Sequence, residues 1–557
     1  MRMKRRWRMR ESGCEGALDG SPYPPLVRRV LEARGIAGAA DARAFFDGGA
    51  ESDVPALPDL DKAVARLAEA ARAGETVAVF GDFDVDGLTA AAILIEALAA
   101  LGANVISYVP DRFLEGYGLN TGAISRLHRE GATLLLAVDC GTSSVEEVAH
   151  ARDCGMDVVI VDHHVPPALL PDALAIVNPK VDSSSLYEGL ASAGLAYFLA
   201  SALCDASGRP FPPESCLDLA ALGTVVDMAP LTGVNRDLAR RGVEALRRTE
   251  RCGLQALMEV ARVDASTLDT EALSFMLGPR LNAAGRVAHA RHGLELLLCQ
   301  DRARAWKLAR ELDGLNRERQ RQQAAALEVA RRLLDEQDAG APLVMLGSEA
   351  IAPGVAGLVA SRLAEELYRP CVVYSPDGAI SRASARSIEE FDIAAALREC
   401  GDLFLRSGGH RQAGGFTAEN ERLPEIRERL VACARERLAG LELTPVIDVD
   451  AVAPLADVGG DEIRWLSRMA PFGVGNPEPV FWSRGVTVVE GRTVGADDQH
   501  LRLKLKDGRV VWPAIGFGLG DAPVRAGSKV DIVYSIGSDR GGYGSLQLLL
   551  HDLAISS

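Results

Sequence analysis

The sequence predicts an α/β protein in which two α/β regions are joined by a long helix and followed by a small β-barrel. Three observations carry this. Apolar runs at 76–80, 134–138, 158–161 and 219–226 each end in acids or histidines, a charged stretch rich in Arg, Glu, Leu and Ala fills 301–337, and short alternating segments separated by Gly and Asp follow from about 445. Runs of Val, Leu and Ile between helical patterns read as strands of a parallel sheet buried on both faces, and ligands gather at the carboxyl ends of such strands. The 557 residues exceed one ordinary hydrophobic core and imply several domains.

The elements follow in order. Residues 1–74 read as a lead-in of helical character, including the apolar-periodic stretch 62–73. Its first ten residues carry Arg2, Lys4, Arg5, Arg6, Arg8 and Arg10, which we read as a disordered tail or an upstream start rather than a nucleic-acid arm. Between 75 and 230, strands and helices alternate: strand 76–80, helix 88–101, strand 105–109, a Gly-rich loop, a helix near 123–130, and then the remaining runs. That is the pattern of a doubly wound sheet. The signal at 231–340 is helical and ends in the connecting stretch 301–337, a helix or helix pair. A second α/β region at 341–440 has strand 343–346, helix 355–367, strand 371–374 and the glycine cluster 407–415. From 445 to 557, segments such as 501–505 and 530–534 alternate as in a small antiparallel barrel.

Composition narrows the class. With 48% hydrophobic and 25% charged residues the chain is of ordinary globular make-up. No run approaches the ~20 apolar residues that cross a bilayer, and the start lacks the apolar segment of a secretory signal, so a cytoplasmic protein is expected. The ten cysteines include no CxxC pair, which argues against zinc and against a disulfide framework. The formal net charge of −16 is unusual for a nucleic-acid enzyme, but a global sum leaves room for a locally basic groove.

The chemistry lies at the ends of the apolar runs. Asp82, Asp84 and Asp86 follow the first run, with Gly87 allowing a sharp exit into the next helix. One Asp would suit a helix cap; three on one turn point to a cation. The calcium-loop alternative fails, because an apolar helix follows where the remaining EF-hand ligands should be. Asp162-His163-His164 follows the third run, and Asp139 and Asp227 end the second and fourth. Acids from four distant segments would repel one another if packed without a cation, so two divalent metals are the simplest account. Imidazole beside carboxylates suits manganese, and the oxygen-rich set also accommodates magnesium.

Asp162-His163-His164 with Asp84-Val85-Asp86 upstream resembles the DHH phosphoesterase superfamily, and the region around Gly408-Gly409-His410 resembles its DHHA1 partner domain. The series continues through Pro110-Asp111-Arg112 with Glu115-Gly116-Tyr117-Gly118, Gly223-Thr224-Val225-Val226-Asp227, Gly278-Pro279-Arg280-Leu281-Asn282-Ala283-Ala284-Gly285-Arg286, Ser384-Ala385-Arg386-Ser387 and Pro471-Phe472-Gly473-Val474-Gly475-Asn476-Pro477. Over about 75–553 this order resembles the RecJ single-strand-specific 5′ to 3′ DNA exonucleases. The resemblance implies that Asp84, Asp86, Asp139, His163 and Asp227 hold two manganese or magnesium ions, and that Asp82 and His164 act beside them on ligands or on the scissile phosphate. It implies DNA or phosphate contacts by Arg112, Tyr117, Arg280, Asn282, Ser384, Arg386 and His410, with Arg112, Ser384 and Arg386 at a 5′-terminal phosphate. The terminal barrel resembles an OB-fold that grips the strand, for which Arg492, Arg502, Lys504, Phe481 and Trp482 are candidates. With the DHHA1 domain it would close a channel wide enough for a single strand. Single-stranded DNA, a helicase and a single-strand-binding protein are the implied partners, with no membrane and a monomeric chain. The chain departs from the family where Ile351-Ala352 stands in place of Trp-His before Pro353-Gly354-Val355, so a substrate contact through that histidine is absent. A small-substrate phosphodiesterase of the same superfamily, or a non-catalytic scaffold, are the alternatives.

Overall fold

The computed structural model describes residues 5–11, 13–48, 56–112, 114–182, 185, 187–208, 212–336, 340–538 and 546–556. The chain divides into two compact units, 51–443 and the pair 1–50 with 444–557.

The larger unit opens on a five-stranded parallel sheet in the order Asn104–Tyr108, Thr76–Gly81, Leu134–Val138, Asp157–Val161, Ala175–Val177. Alternate residues serve two separate cores. Val77, Val79, Leu134 and Leu136 pack with helices Leu60–Ala73, Val85–Leu101 and Ser192–Ser207, whereas Ala78, Phe80, Leu135 and Ala137 pack with Thr121–Arg129 and Val145–Asp153. Burial on both faces is why 77–80, 134–138 and 158–161 are apolar at every position rather than alternating. Strand Thr76–Gly81 has its sequence successor on one side and Leu134–Val138 on the other, so the chain reverses its direction of winding there. Such a switch point opens a crevice at the carboxyl ends of the two strands.

The fourth apolar run corrects the sequence expectation. Residues 219–226 lie in helix Leu217–Val226, not in a strand. From Leu219 onward the helix is apolar but for Thr224, because it is enclosed by its neighbours. A Cβ added to Gly223 would stand 2.3 Å from Thr89 Oγ1 and 2.4 Å from the Ala193 methyl, so only glycine permits that approach. Periodicity alone cannot separate an enclosed helix from a buried strand.

The linker 302–335 is one helix, Arg302–Asp335, capped by the Asp301 carboxylate accepting from the Arg304 N–H. Its 34 residues span about 51 Å. It leads to a second sheet ordered Arg406–His410, Ala413–Glu419, Ile380–Arg386, Cys371–Asp377, Val344–Gly347. Helix Pro353–Leu367 packs on this sheet with the end of the linker, and Ile393–Glu399 with Leu423–Arg437 packs in a separate core.

In the smaller unit, strands Phe481–Val494, His500–Asp507, Val510–Gly516, Leu546–Ile555 and Lys529–Ser538 close into a barrel, the first pairing with the last. Helices Pro25–Ala33 and Ala39–Asp47 belong here, with Leu26, Val27, Val30 and Leu31 in the barrel's core. Residues expected as one lead-in to the catalytic region are therefore divided, and only Leu60–Ala73 packs on the parallel sheet. The basic amino terminus is also corrected. Arg6–Met9 is a strand pairing in parallel with Val446–Val449, Trp7 Nε1 donates to Asp552, and Arg8 and Arg10 pair with Asp448 and Asp450. Arg2 and Lys4 lie outside the described residues. Among the described residues no helix is long and apolar enough to cross a membrane.

Candidate metal centre and phosphate wall

The switch-point crevice collects the predicted ligands. Asp84 is the N-cap of helix Val85–Leu101, its carboxylate accepting from the Gly87 N–H, and Asp86 sits in the first turn. A Cβ on Gly87 would lie 2.8 Å from Asp82 Cα, so glycine is required for the strand end and the helix start to touch. Asp139 leaves the next strand with φ 63°, a left-handed conformation that an L-residue adopts at a cost of about 1–3 kcal/mol. Asp227 caps helix Leu217–Val226. The residue expected at a strand end thus reaches the site from a helix end.

His163 is the hub. Its Nε2 lies 3.4 Å from Asp139 Oδ1 and 3.8 Å from Asp86 Oδ2 and Asp227 Oδ2. Three sets of ligand atoms each fall within 4.8 Å of one another: Asp86, His163 and Asp227; Asp82, Asp84 and Asp139; Asp139, His163 and His164. All seven predicted metal and catalytic residues are brought together.

The electrostatics fit a cation. Burial, then the nearby Asp84 charge, raises Asp86 to about 7; burial, then Asp86 and Asp84, raises Asp227 to about 9; Asp82 and Asp139 are raised well above the carboxylate range by burial and their acidic neighbours. Asp82 Oδ1 is buried without a hydrogen-bond partner. Burial, with His164 and Lys180 nearby, lowers His163 to about 3, so its imidazole is neutral, the form that binds metal. The residues present therefore suit divalent ions: an acidic pocket expensive to ionise alone, with an imidazole already deprotonated.

Several supporting groups lie outside the predicted site residues. Asp162, first residue of the Asp-His-His triplet, accepts from His164 Nδ1 at 2.7 Å and from the His163, His164 and Thr142 N–H groups. Burial would raise its carboxyl, but these donors, His164 first, hold it below its ordinary range, and Asp162 in turn raises His164 against the effect of burial. The Ser192 and Ala193 N–H groups donate to both Asp86 oxygens, and Ser192 Oγ donates to Asp139.

Opposite stands a wall of arginines. Arg112, its guanidinium 4.9 Å over the Phe83 ring, feels Asp82 and Asp84; Arg286 feels Arg112, Arg319, Arg386 and Asp84. Burial, then its arginine neighbours, lowers Arg286 to about 10, which leaves it charged. Among the described residues none of these four has a carboxylate within 4 Å. Ser384 and Arg386 share a face of Ile380–Arg386 against Gly357, whose missing Cβ would lie 3.3 Å from the Arg386 guanidinium. Arg286 donates to the Gly354 carbonyl at 3.4 Å, in the first turn of Pro353–Leu367, so the positive end of that helix adds to the wall. Arg286 and Arg319 were not among the predicted site residues.

The remaining predicted residues are placed as follows. Tyr117 donates to the Asp139 carbonyl at 3.1 Å with half its surface exposed. His410, on the exposed strand Arg406–His410, lies 6.4 Å ring to ring from His164. Asn282 Oδ1 accepts from the Val85 N–H at 3.1 Å, buttressing the metal loop. Arg280 is engaged elsewhere, donating to Asp313 at 2.9 Å and to the Met276 carbonyl. In the barrel, Phe481 is a core residue at 1% exposure and offers no stacking surface, whereas Trp482 lies under Arg484 at 4.1 Å. Arg492, Arg502 and Lys504 are on the outer face. Ile351 is buried in the core beside Pro353–Leu367.

Comparison with known proteins identifies the domains that carry these residues. The DHH family N-terminal domain matches residues 76–224, the DHHA1 domain 340–436 and the RecJ OB domain 449–552. The single-stranded-DNA-specific exonuclease RecJ of Bacillus subtilis is 34% identical over 540 residues, covering 96% of this chain and 68% of that protein; RecJ of Salmonella typhimurium is 33% identical, covering 99% and 100%. The chain belongs to the RecJ family. The crystal structure of Thermus thermophilus RecJ in complex with Mn2+ superimposes with a TM-score of 0.85 at 30% identity, over 100% of this chain and 80% of that one. The Mg2+ complex of the same RecJ gives 0.79 at 29% identity, over 99% and 79%.

Proposed function

We propose that the protein is a metal-dependent exonuclease that degrades single-stranded DNA from its 5′ end to mononucleotides, in the cytoplasm, in DNA repair and recombination. The observation that carries this reading is the convergence on Asp84 of two buried clusters of opposite sign, one suited to cations and one to a phosphate. Asp84, Asp86, Asp139, His163 and Asp227 hold two divalent ions, manganese ahead of magnesium, which when bound polarise water and stabilise the leaving oxygen. Asp82 orients this ligand set. His164, its Nδ1 tied to Asp162, presents the other ring nitrogen to a non-bridging oxygen of the scissile phosphate. Arg112, Ser384 and Arg386 receive the terminal 5′-phosphate, with Arg286 alongside, because the guanidinium fork matches phosphate oxygens and stays charged when buried. Tyr117 stacks on a base and His410 contacts the backbone near His164. The enzyme works as a monomer on strands opened by a helicase and coated by a single-strand-binding protein.

The test is a 5′-phosphorylated single strand labelled at its 3′ end, incubated with manganese. Progressive loss from the 5′ end with mononucleotide release supports the reading. Cleavage confined to dinucleotides would replace it by a small-substrate phosphodiesterase, and no hydrolysis of either by a scaffold.

A further inference from the structure

We propose that an arginine and tryptophan groove on the helical linker is a second binding site for the phosphodiester backbone of a single DNA strand, separate from the metal centre. It rests on single-stranded DNA being the substrate. Two adjoining cavities of about 320 and 330 Å³ share Arg262, Asp313 and Arg317; Trp306 and Arg310 line one, and Arg280 and Gln320 the other. Positions 306, 310, 313 and 317 recur at helical spacing on one face of Arg302–Asp335. In a chain of net charge −16, four arginines meet here with only Asp313 and Glu259 as lining acids.

The charges are poised outward. Asp313, 4% exposed, is shared between Arg280 and Arg317, so one carboxylate supports two guanidiniums and the cluster stays positive. Among the described residues neither Arg262 nor Arg310 has a carboxylate within 4 Å. Arg262 closes helix Cys252–Ala261 in the left-handed conformation, φ 58°. Arg310 lies 4.9 Å over the ring of Trp306, a residue 40% exposed. Cations interleaved with an accessible aromatic ring suit a single strand, phosphates on the arginines and a base on the indole. One lining residue shares a helix with the proposed catalytic machinery. Arg280 stands on helix Gly278–Val287, where Asn282 holds the Val85 N–H and Arg286 joins the phosphate wall.

Binding is measured by fluorescence anisotropy with a labelled 30-nucleotide strand in chelator, for the full-length native chain, Trp306→Ala and the double variant Arg262→Ala/Arg310→Ala. We expect about tenfold weaker binding for Trp306→Ala. For the double variant we expect the slope of log affinity against log salt to fall by about 1.4, two phosphate contacts at about 0.7 each. Arg262→Lys/Arg310→Lys, which keeps both charges, should restore the slope, so that misfolding of the alanine variant is recognised. Unchanged affinity and slope in the alanine variants overturn the proposal, and are what an acidic protein ligand or a purely structural network would give. Loss of binding in the lysine variant as well as the alanine one also overturns it. A native chain that neither binds nor cuts the strand overturns the substrate reading itself, which distinguishes that failure from this one.

Discussion

The carboxylate cluster and the arginine wall are both buried, both of one sign and both close to Asp84, yet burial affects them in opposite ways. It lifts Asp86 to about 7 and Asp227 to about 9, so the acids can shed their charge repulsion by taking up protons. It lowers Arg286 only to about 10, so the wall stays cationic at neutral pH. On the proposed reading, one cluster becomes fully charged when a metal displaces its protons, and the other, permanently charged, receives a phosphate. A strand end carrying phosphate is the ligand we propose for both.

The largest effect expected is from breaking the acidic side. Asp84→Ala or His163→Ala should raise the barrier by about 4 kcal/mol or more, roughly a thousandfold loss in rate, because each removes a ligand around which the others are assembled. Steady-state hydrolysis of a single strand with manganese checks this; retention of a tenth of the native rate would contradict it. Asp162→Asn leaves the ligands in place but removes the charge that orients His164, and a loss of about 10–100-fold is expected in kcat. On the basic side, Arg386→Ala or Arg112→Ala should cost about 2 kcal/mol, roughly thirtyfold in kcat/KM, for a 5′-phosphorylated strand and far less for a 5′-hydroxyl strand. Equal losses on both ends would mean that these arginines do not read the terminal phosphate.

The smallest effect expected concerns stability and pH. Asp86 and Asp227 have folded-state values above their ordinary 3.8, so the metal-free fold holds protons that the unfolded chain releases. Their contribution is present below about pH 4 and is lost as pH rises through about 7 and then 9. Manganese reverses this by taking the place of the protons. The rise in melting temperature on adding manganese should therefore grow between pH 6 and 8.5; a shift independent of pH would contradict the raised values.

Much of the acidic side was legible in the sequence, because apolar runs ending in Asp or His advertise strand ends, and a parallel sheet brings strand ends together. Asp227 is reached in the sequence through a run that reads as a strand and is a helix: 219–226 is apolar but for Thr224, and its Ala and Gly content marks helix packing only once Thr89 and Ala193 are seen against Gly223. The basic side was less legible. Arg112 and Arg386 stood out through motifs, but Arg319 is one more arginine in a charged helix, and only folding sets it beside Arg286. Arg280 stood in the same motif as Arg286, yet its guanidinium turns to Asp313. The division of the amino-terminal region was not legible either, since Trp7 and Arg34 find their partners at Asp552 and Asp450, more than 400 positions away. Pairings of that range leave no local pattern.

The most direct measurement of the central claim is a calorimetric titration of the metal-free protein with manganese at pH 7, run in two buffers of different ionisation enthalpy, for the native chain and His163→Ala. Two ions bound per native chain with net proton release, both lost or greatly weakened in His163→Ala, is the predicted result. Manganese binding to His163→Ala with native stoichiometry and proton release would show that the buried carboxylate and imidazole cluster is not the metal centre.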